Sequence, residues 1–268
     1  MFRAQDDPER IITTPIQRWQ GDACVEDDDA LAVEEPLEVR LGASPLAVIM
    51  RTPGHDEELA VGFLHGEGIV RSRADLVTVR LWQDEHGAFA QNRVTITLRQ
   101  QAAAPGAWQR QFYATSSCGM CGKASIEAAL SLAPPLARRL EVAPETLYAF
   151  PDRLRAAQAV FDRTGGLHAA GLFDLAGNLL ALREDVGRHN AVDKLIGRAL
   201  LDGALPLSER ILLVSGRVSF EILQKALVAR IPLIAAVSAP SSLAVSVARR
   251  TNIALIGFLR AGRLNVYA

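Results

Sequence analysis

Cysteine is scarce in this chain, with three in 268 residues: Cys24, Cys118 and Cys121. So few exclude a disulfide framework and, in a reducing compartment, leave thiols free for chemistry. Long apolar runs are missing too. Stretches such as residues 231–237 are broken by Pro, Ser or Arg well before bilayer-spanning length, so no membrane insertion is expected. The first ten residues are polar and charged, without the apolar stretch of a secretory signal, and the cytoplasm is the expected compartment. Acidic side chains are absent after Glu221, while Lys225, Arg230, Arg249, Arg250, Arg260 and Arg263 all follow it. Residues 1–50 have the opposite balance, four basic and eleven acidic side chains. An acid-free stretch with six cations favours an anionic partner. The plainer alternative is a basic face that balances the acidic amino-terminal region.

What is present suits a globular protein of one large or two medium domains: 49% hydrophobic residues and a net charge of −1. Residues 36–51 read as two strands around a Gly42-Ala43-Ser44-Pro45 turn. From Asp56, placed as an N-cap, Leu59, Gly62, Phe63 and Gly66 follow helical spacing, and Gly66 and Gly68 mark the stop. Residues 76–82 and 93–98 read as strands. Residues 100–117 have no clean period and read as an exposed approach to the cysteine pair. Helices are expected over 123–132, stopped by Pro134-Pro135, and over 144–161, ending at Gly165-Gly166. Beyond these, strands at 169–173 and 179–182 form a hairpin. Strands at 211–214, 233–237 and 253–258 then alternate with helices at 188–201, 219–230 and 241–250. The fold class is α/β (α+β overall): a small amino-terminal α+β domain, residues 1–135, and an α/β layered domain, residues 136–268.

Cys118-Gly119-Met120-Cys121 is a C-x-x-C placed to open a helix. The free N–H groups of a first helical turn stabilise a thiolate, and thiolate is the nucleophile. Gly119 and Gly122 permit a tight turn, Lys123 adds positive charge, and Thr115, Ser116 and Ser117 supply hydroxyl donors. Cys118 is then the activated sulfur and Cys121 a resolving or supporting thiol. Three alternatives stay open on the motif alone: buried incidental cysteines, a zinc site and dithiol–disulfide exchange. A zinc site needs two further ligands, and no second close-spaced pair exists, so no metal is expected.

Other clusters accompany the pair. Arg183-Glu184-Asp185-Val186-Gly187-Arg188-His189 precedes a helix, with Asp185 as a candidate cap; it is either an ion-pair network or a ligand-facing edge. His168 follows a Gly-Gly turn and is either a structural histidine or a proton-handling one. Ser215-Gly216-Arg217 and Ser238-Ala239-Pro240-Ser241 lie between a strand and a helix, where backbone N–H groups can face an anion or serve as ordinary caps. Arg260 and Arg263 flank Gly262, and arginine forks suit phosphate. Cys24 reads as incidental.

The ordered segments 52–70, TSSCGMCG at 115–122, GGLHAAGLFD at 165–174, REDVGRHNAVDKLIG at 183–197 and the run from LLVSGRVSFEILQKAL to GFLRAGRLNVYA resemble the formate dehydrogenase accessory sulfurtransferase family, FdhD. The resemblance implies a sulfur carrier. It would take persulfide sulfur from a cysteine desulfurase onto Cys118 and pass it to the molybdenum bis-guanine-dinucleotide cofactor of formate dehydrogenase. It also implies a cofactor segment at Leu259, Arg260, Ala261, Gly262, Arg263 and Leu264, a cytidine-deaminase-like carboxy-terminal domain and a homodimer; no nucleic-acid partner is expected. The deaminase zinc signature is absent, because His168 is followed by Ala169-Ala170 with no Glu, and the C-x-x-C lies upstream without its Pro. Fold similarity therefore carries no deaminase chemistry. A cofactor-binding chaperone and a dithiol oxidoreductase are the alternative functions.

Overall fold

The computed structural model describes residues 10–82, 92–99, 127 and 130–268. The cysteine pair and the expected helix at 123–132, apart from Glu127 and Leu130–Leu132, lie outside the described residues. Ser131 and Leu132 form a turn.

Three sheets organise the described residues. Strands β1 (Ile11–Gln20) and β2 (Ala23–Ala32) form an antiparallel ribbon. The sequence reading missed it because most side chains of both strands are exposed, which erases the alternation that marks a half-buried strand. Cys24 is exposed on β2, paired with Trp19.

A four-stranded sheet follows, in the order β4 (Ser44–Arg51), β3 (Glu35–Leu41), β6 (Arg93–Leu98), β5 (Leu76–Trp82). Helix α1 (Asp56–Gly66) packs on it through Leu59, Ala60, Val61 and Leu64 against Leu37, Val39, Val94 and Ile96. Asp56 is not the cap of this helix. His55 holds that position in the left-handed region (φ 59°) with no side-chain cap, and Asp56 instead meets Arg51 at 2.8 Å. A buried guanidinium requires a carboxylate partner more than the helix end requires a cap.

The six-stranded sheet has the order β12 (Arg263–Val266), β11 (Ala254–Arg260), β10 (Leu233–Ala236), β9 (Ile211–Val214), β7 (His168–Phe173), β8 (Leu179–Asp185). Strands β9, β10 and β11 are parallel, and every side chain of β9 and β10 is buried. Central parallel strands are covered on both faces, which explains their unbroken apolar runs. One face carries α5 (Arg188–Leu201), α6 (Phe220–Val228) and α7 (Ser242–Thr251). The other carries α2 (Pro144–Leu147) and α3 (Phe150–Ala157), whose Phe150 ring stacks on Phe173 at 4.0 Å. The single helix expected over 144–161 is three short ones, α2, α3 and α4 (Ala159–Thr164). Gln158 leaves the helical region (ψ 76°) and divides α3 from α4. Beyond Gln158, the N–H groups of Val160 and Phe161 donate to the Glu184 carboxylate at 3.1 and 2.8 Å, so α4 starts afresh on its own acidic partner.

The two larger sheets meet through α1 and α5, which cross with backbone in contact. A Cβ on Gly62 would lie 1.9 Å from the Asp193 carbonyl oxygen, and one on Gly197 would lie 1.8 Å from that of Glu58.

Candidate functional site

The carboxyl ends of β9, β10 and β11 define one edge of the six-stranded sheet, the place where open α/β sheets bind ligands. Three turns converge there. The loop after β9, residues 215–219, is pinned to β7: Ser215 N donates to the Ala169 carbonyl, and Ser215 Oγ accepts from Ala169 N, both at 2.9 Å. The loop after β10, residues 237–241, is zipped to it by a parallel bridge between Val218 and Pro240. Its Ser241 Oγ accepts from Ala244 N at 3.2 Å, an ordinary cap of α7. Ser219 holds the cap position of α6 without a side-chain cap hydrogen bond; its hydroxyl is 3.0 Å from His189 Nε2.

The β11–β12 hairpin forms the third wall. Phe258 has a positive φ of 53°, and its N–H donates to the Ser238 carbonyl at 3.1 Å. Of the six residues expected at the cofactor, Leu259 is buried and Leu264 packs on the core beside it, so both position the turn. Ala261 and Gly262 make its tip, where Gly262 has φ 74°. Arg260 donates to the Val237 and Leu259 carbonyls, and Arg263 is exposed.

The expected basic surface over the last fifty residues is dispersed. Lys225 is buried on Asp193 at 2.7 Å, Arg230 holds the Pro134 and Pro135 carbonyls, Arg249 holds that of Tyr267, and Arg250 meets Glu127. Of these six cations, Arg260 and Arg263 are the two at this edge.

The Arg183–His189 cluster divides between the two readings. Arg183 forks onto Glu58 of α1 at 2.6 and 2.8 Å, and Glu184 receives the start of α4. Asp185 is not the helix cap; Gly187 is. The Asp185 carboxylate is fully buried, 2.7 Å from Lys194, and accepts from Thr52 N, Gly187 N and Asn190 Nδ2. It fixes the 52–55 turn against the start of α5. Nothing in the sequence marked Thr52 as its partner, since it is brought in from a distant segment, while Asn190 and Lys194 come from the next two turns of α5.

Arg188 and His189, in the first turn of α5, remain at the edge. Arg188 Nε is buried without a hydrogen-bond partner among the described residues. His168, at the start of β7, lies beside both: a Cβ on Gly216 would be 3.1 Å from His168 Nδ1 and 3.8 Å from Arg188 Cβ. Burial, and then the Arg188 guanidinium, push His168 below the usual histidine range, so it is neutral near pH 7. Glu221 faces His189 at 3.7 Å. Burial raises its pKa, but hydrogen bonds from His189 and Ser219 outweigh burial and hold it at about 2. The edge thus offers cations and a neutral imidazole to an anion.

His55 carries a pH-dependent term. Burial, followed by the Arg183 guanidinium, lowers its pKa to about 4. The folded state therefore resists a proton that the unfolded chain takes up near pH 6.5. Stability from this group is complete above about pH 6.5 and is lost as pH falls toward 4. The side chain is 43% exposed, so solvent screens part of the effect. In His55→Asn, which tolerates the left-handed backbone, the loss of denaturation midpoint between pH 7 and 4.5 should be smaller than in wild type. An unchanged pH slope would show that His55 does not contribute.

The described ends of the cysteine segment lie elsewhere. Arg99 bonds to Asp75 and Ala74, Leu132 packs on Gly68, and Arg230 holds the Pro134 carbonyl. All of these sit at the carboxy-terminal ends of α1 and α6, the edge opposite the hairpin. Helix α5 runs from one edge to the other, and its 14 residues span about 21 Å.

Comparison with known proteins places this geometry. The FdhD/NarQ family model matches residues 32–268. Sulfur carrier protein FdhD of Streptomyces avermitilis is 53% identical over 253 residues, covering 90% of this chain and 87% of that protein. The same-named protein of Mycobacterium tuberculosis is 50% identical over 260 residues, 94% of each chain. A crystal structure from Desulfotalea psychrophila, provisionally described as a formate dehydrogenase accessory protein, superposes with a TM-score of 0.76 at 23% identity over 96% of both chains, a likeness of fold. Among the described residues no helix is long and apolar enough to cross a membrane. The chain belongs to the FdhD/NarQ family.

Proposed function

We propose that this protein is a sulfur carrier for formate dehydrogenase maturation, with Cys118 holding the sulfur. The observation that carries this reading is that the chain is half identical along most of its length to proteins named sulfur carrier protein FdhD, and the family match over residues 32–268 spans the C-x-x-C. In the first step the Cys118 thiolate attacks the outer sulfur of a cysteine desulfurase persulfide. The donor S–S bond breaks, a Cys118 persulfide forms, and the desulfurase leaves as thiolate. In the second, the Cys121 thiolate attacks Cys118 Sγ. A Cys118–Cys121 disulfide forms and hydrosulfide departs for molybdenum; an external thiol reductant then restores the dithiol.

The acceptor in this reading is the molybdenum bis-guanine-dinucleotide cofactor, bound as substrate at the 259–264 hairpin. Arg260 and Arg263 offer it phosphate contacts, with Arg188 and His168 at the neighbouring strand ends. Residues 136–268 act as a deaminase-like layered domain, residues 1–135 as the unit that presents the cysteines, and two copies associate as a homodimer in the cytoplasm. Sulfur then has to pass between opposite sheet edges, about 21 Å apart along α5. Fully extended, the stretch between Arg99 and Glu127 exceeds that length several-fold, at roughly 3.3 Å per residue.

Mass spectrometry after incubation with a cysteine desulfurase and cysteine tests the first step. The expected result is one added sulfur on Cys118, absent in Cys118→Ala and retained in Cys121→Ala. A protein that binds the guanine dinucleotide cofactor yet gains no sulfur is a chaperone rather than a carrier. Turnover of a protein disulfide substrate would favour the oxidoreductase.

A further inference from the structure

The β1–β2 ribbon is held to the rest of the chain at its root. There Val33 N donates to the Arg10 carbonyl at 3.0 Å, the Arg10 guanidinium donates to the Glu184 carbonyl at 3.3 Å, and Ala32 lies against Gly166. From Gln17 to Asp29 every residue is exposed. Each strand has ten residues, a length of about 34 Å. A two-stranded ribbon by itself is marginally stable in water and needs a further surface to pack on. The body of its own chain supplies one only at the root.

The register shows which face lacks a cover. Ala32, turned to Gly166, pairs with Ile11. Successive residues alternate faces, so Ile12 and its partner Leu31 point the other way, together with Ile16 and Val25. Ile12, Val25 and Leu31 are 57, 56 and 44% exposed. The four side chains form an apolar stripe from the root toward the tip, away from the body.

Charge identifies the cover. The ribbon carries five carboxylates, Asp22, Glu26, Asp27, Asp28 and Asp29, and one cation, Arg18, which is paired with Asp27 at 2.8 Å. The whole chain stands at −1, so the remainder has a cationic excess. On that remainder Arg138, Arg139, Arg217 and Arg263 are exposed and make no ion pair among the described residues. Two such ribbons repel one another, whereas a ribbon and the body of another copy attract.

We propose that the ribbon is an exchange arm. Its Ile12, Ile16, Val25 and Leu31 stripe packs on the cationic body of a second copy of this chain, which returns its own arm. Exchange about a two-fold axis covers both arms in one closed contact. The two ten-residue strands, with the body surface they cover, supply the roughly 20–30 residues a side of a stable interface. The inference rests on the proposed homodimer, whose interface it names, and not on sulfur transfer.

Sedimentation velocity of the full chain over a concentration series, read beside amide hydrogen exchange, is the test. The protein should be a dimer whose dissociation constant rises with salt. Amides of residues 17–29 should exchange slowly in the dimer and fast once dilution separates it. Ile12→Ser combined with Leu31→Ser should raise the dissociation constant about a hundredfold, because four apolar side chains leave the paired interface. Both positions are exposed in the single chain, so the variant keeps its fold. A protein that is monomeric at every concentration would overturn the homodimer and the exchange together. A dimer that the serine pair leaves intact, or whose 17–29 amides exchange alike at high and low concentration, keeps the homodimer and overturns the arm as its interface. A dimer indifferent to salt overturns the part given to charge.

Discussion

Gly197→Ala should destabilise the protein by about 3 kcal/mol or more. The new methyl would lie 1.8 Å from the Glu58 carbonyl oxygen and 2.8 Å from Gly62 N. These are backbone atoms of the neighbouring helix, and no rotamer change relieves them. Helices α1 and α5 would have to separate by more than an ångström. That separation strains the Gln224–Gly66 and Lys225–Asp193 contacts and lifts Leu200 from the core of the four-stranded sheet. The gain of helix propensity on replacing Gly, about 1 kcal/mol, is too small to offset this. Gly62→Ala should behave alike, since its methyl would meet the Asp193 carbonyl at 1.9 Å. Gly166→Ala, whose Cβ makes an ordinary 3.5 Å contact, is the control and should be near neutral. Chemical denaturation measures all three. A Gly197→Ala protein as stable as the control would mean that the helices do not cross in backbone contact.

Lys194→Met should cost about 3–5 kcal/mol, the range for breaking one side of a buried ion pair. Lys194 and Asp185 are both fully buried and 2.7 Å apart, and Lys194 also donates to the Thr52 carbonyl at 2.8 Å. Removing the ammonium leaves a carboxylate with amide donors but no countercharge. Asp185→Asn added to Lys194→Met should recover part of the loss, because Asn can still accept from Gly187 N. A double-mutant cycle isolates the coupling. Additive losses would show that the pair does not act as a unit. The pair also joins the 52–55 turn to the start of α5, so its loss should loosen Arg188 and His189 at the ligand edge.

The elements read correctly from sequence share one property: their pattern and their burial coincide. Residues 93–98, 188–201 and 211–214 were legible to the residue because each packs side chains on a core along its length. The β1–β2 ribbon was illegible because its order comes from paired backbones rather than a buried face. Asp185 illustrates the limit at the site. Its sequence position before a helix suggested a cap, but it instead gathers Asn190 and Lys194 from the following helix and Thr52 from 133 residues away, and local spacing carries no record of Thr52.

By itself the sequence determined the family, the alternation of the carboxy-terminal half and the candidate sulfur carrier, Cys118 in Cys118-Gly-Met-Cys121. These depend on local order along the chain, which survives without coordinates. Tertiary structure alone decided which charges are free to act. Six cations that seemed one anionic-partner surface separate into a buried pair, loop anchors, a surface ion pair and the two hairpin arginines. It also placed the described ends of the cysteine segment at one sheet edge and the hairpin at the other, about 21 Å apart along α5. Burial and countercharge are properties of neighbours in space, and a net charge along the sequence cannot distinguish a neutralised lysine from an open arginine.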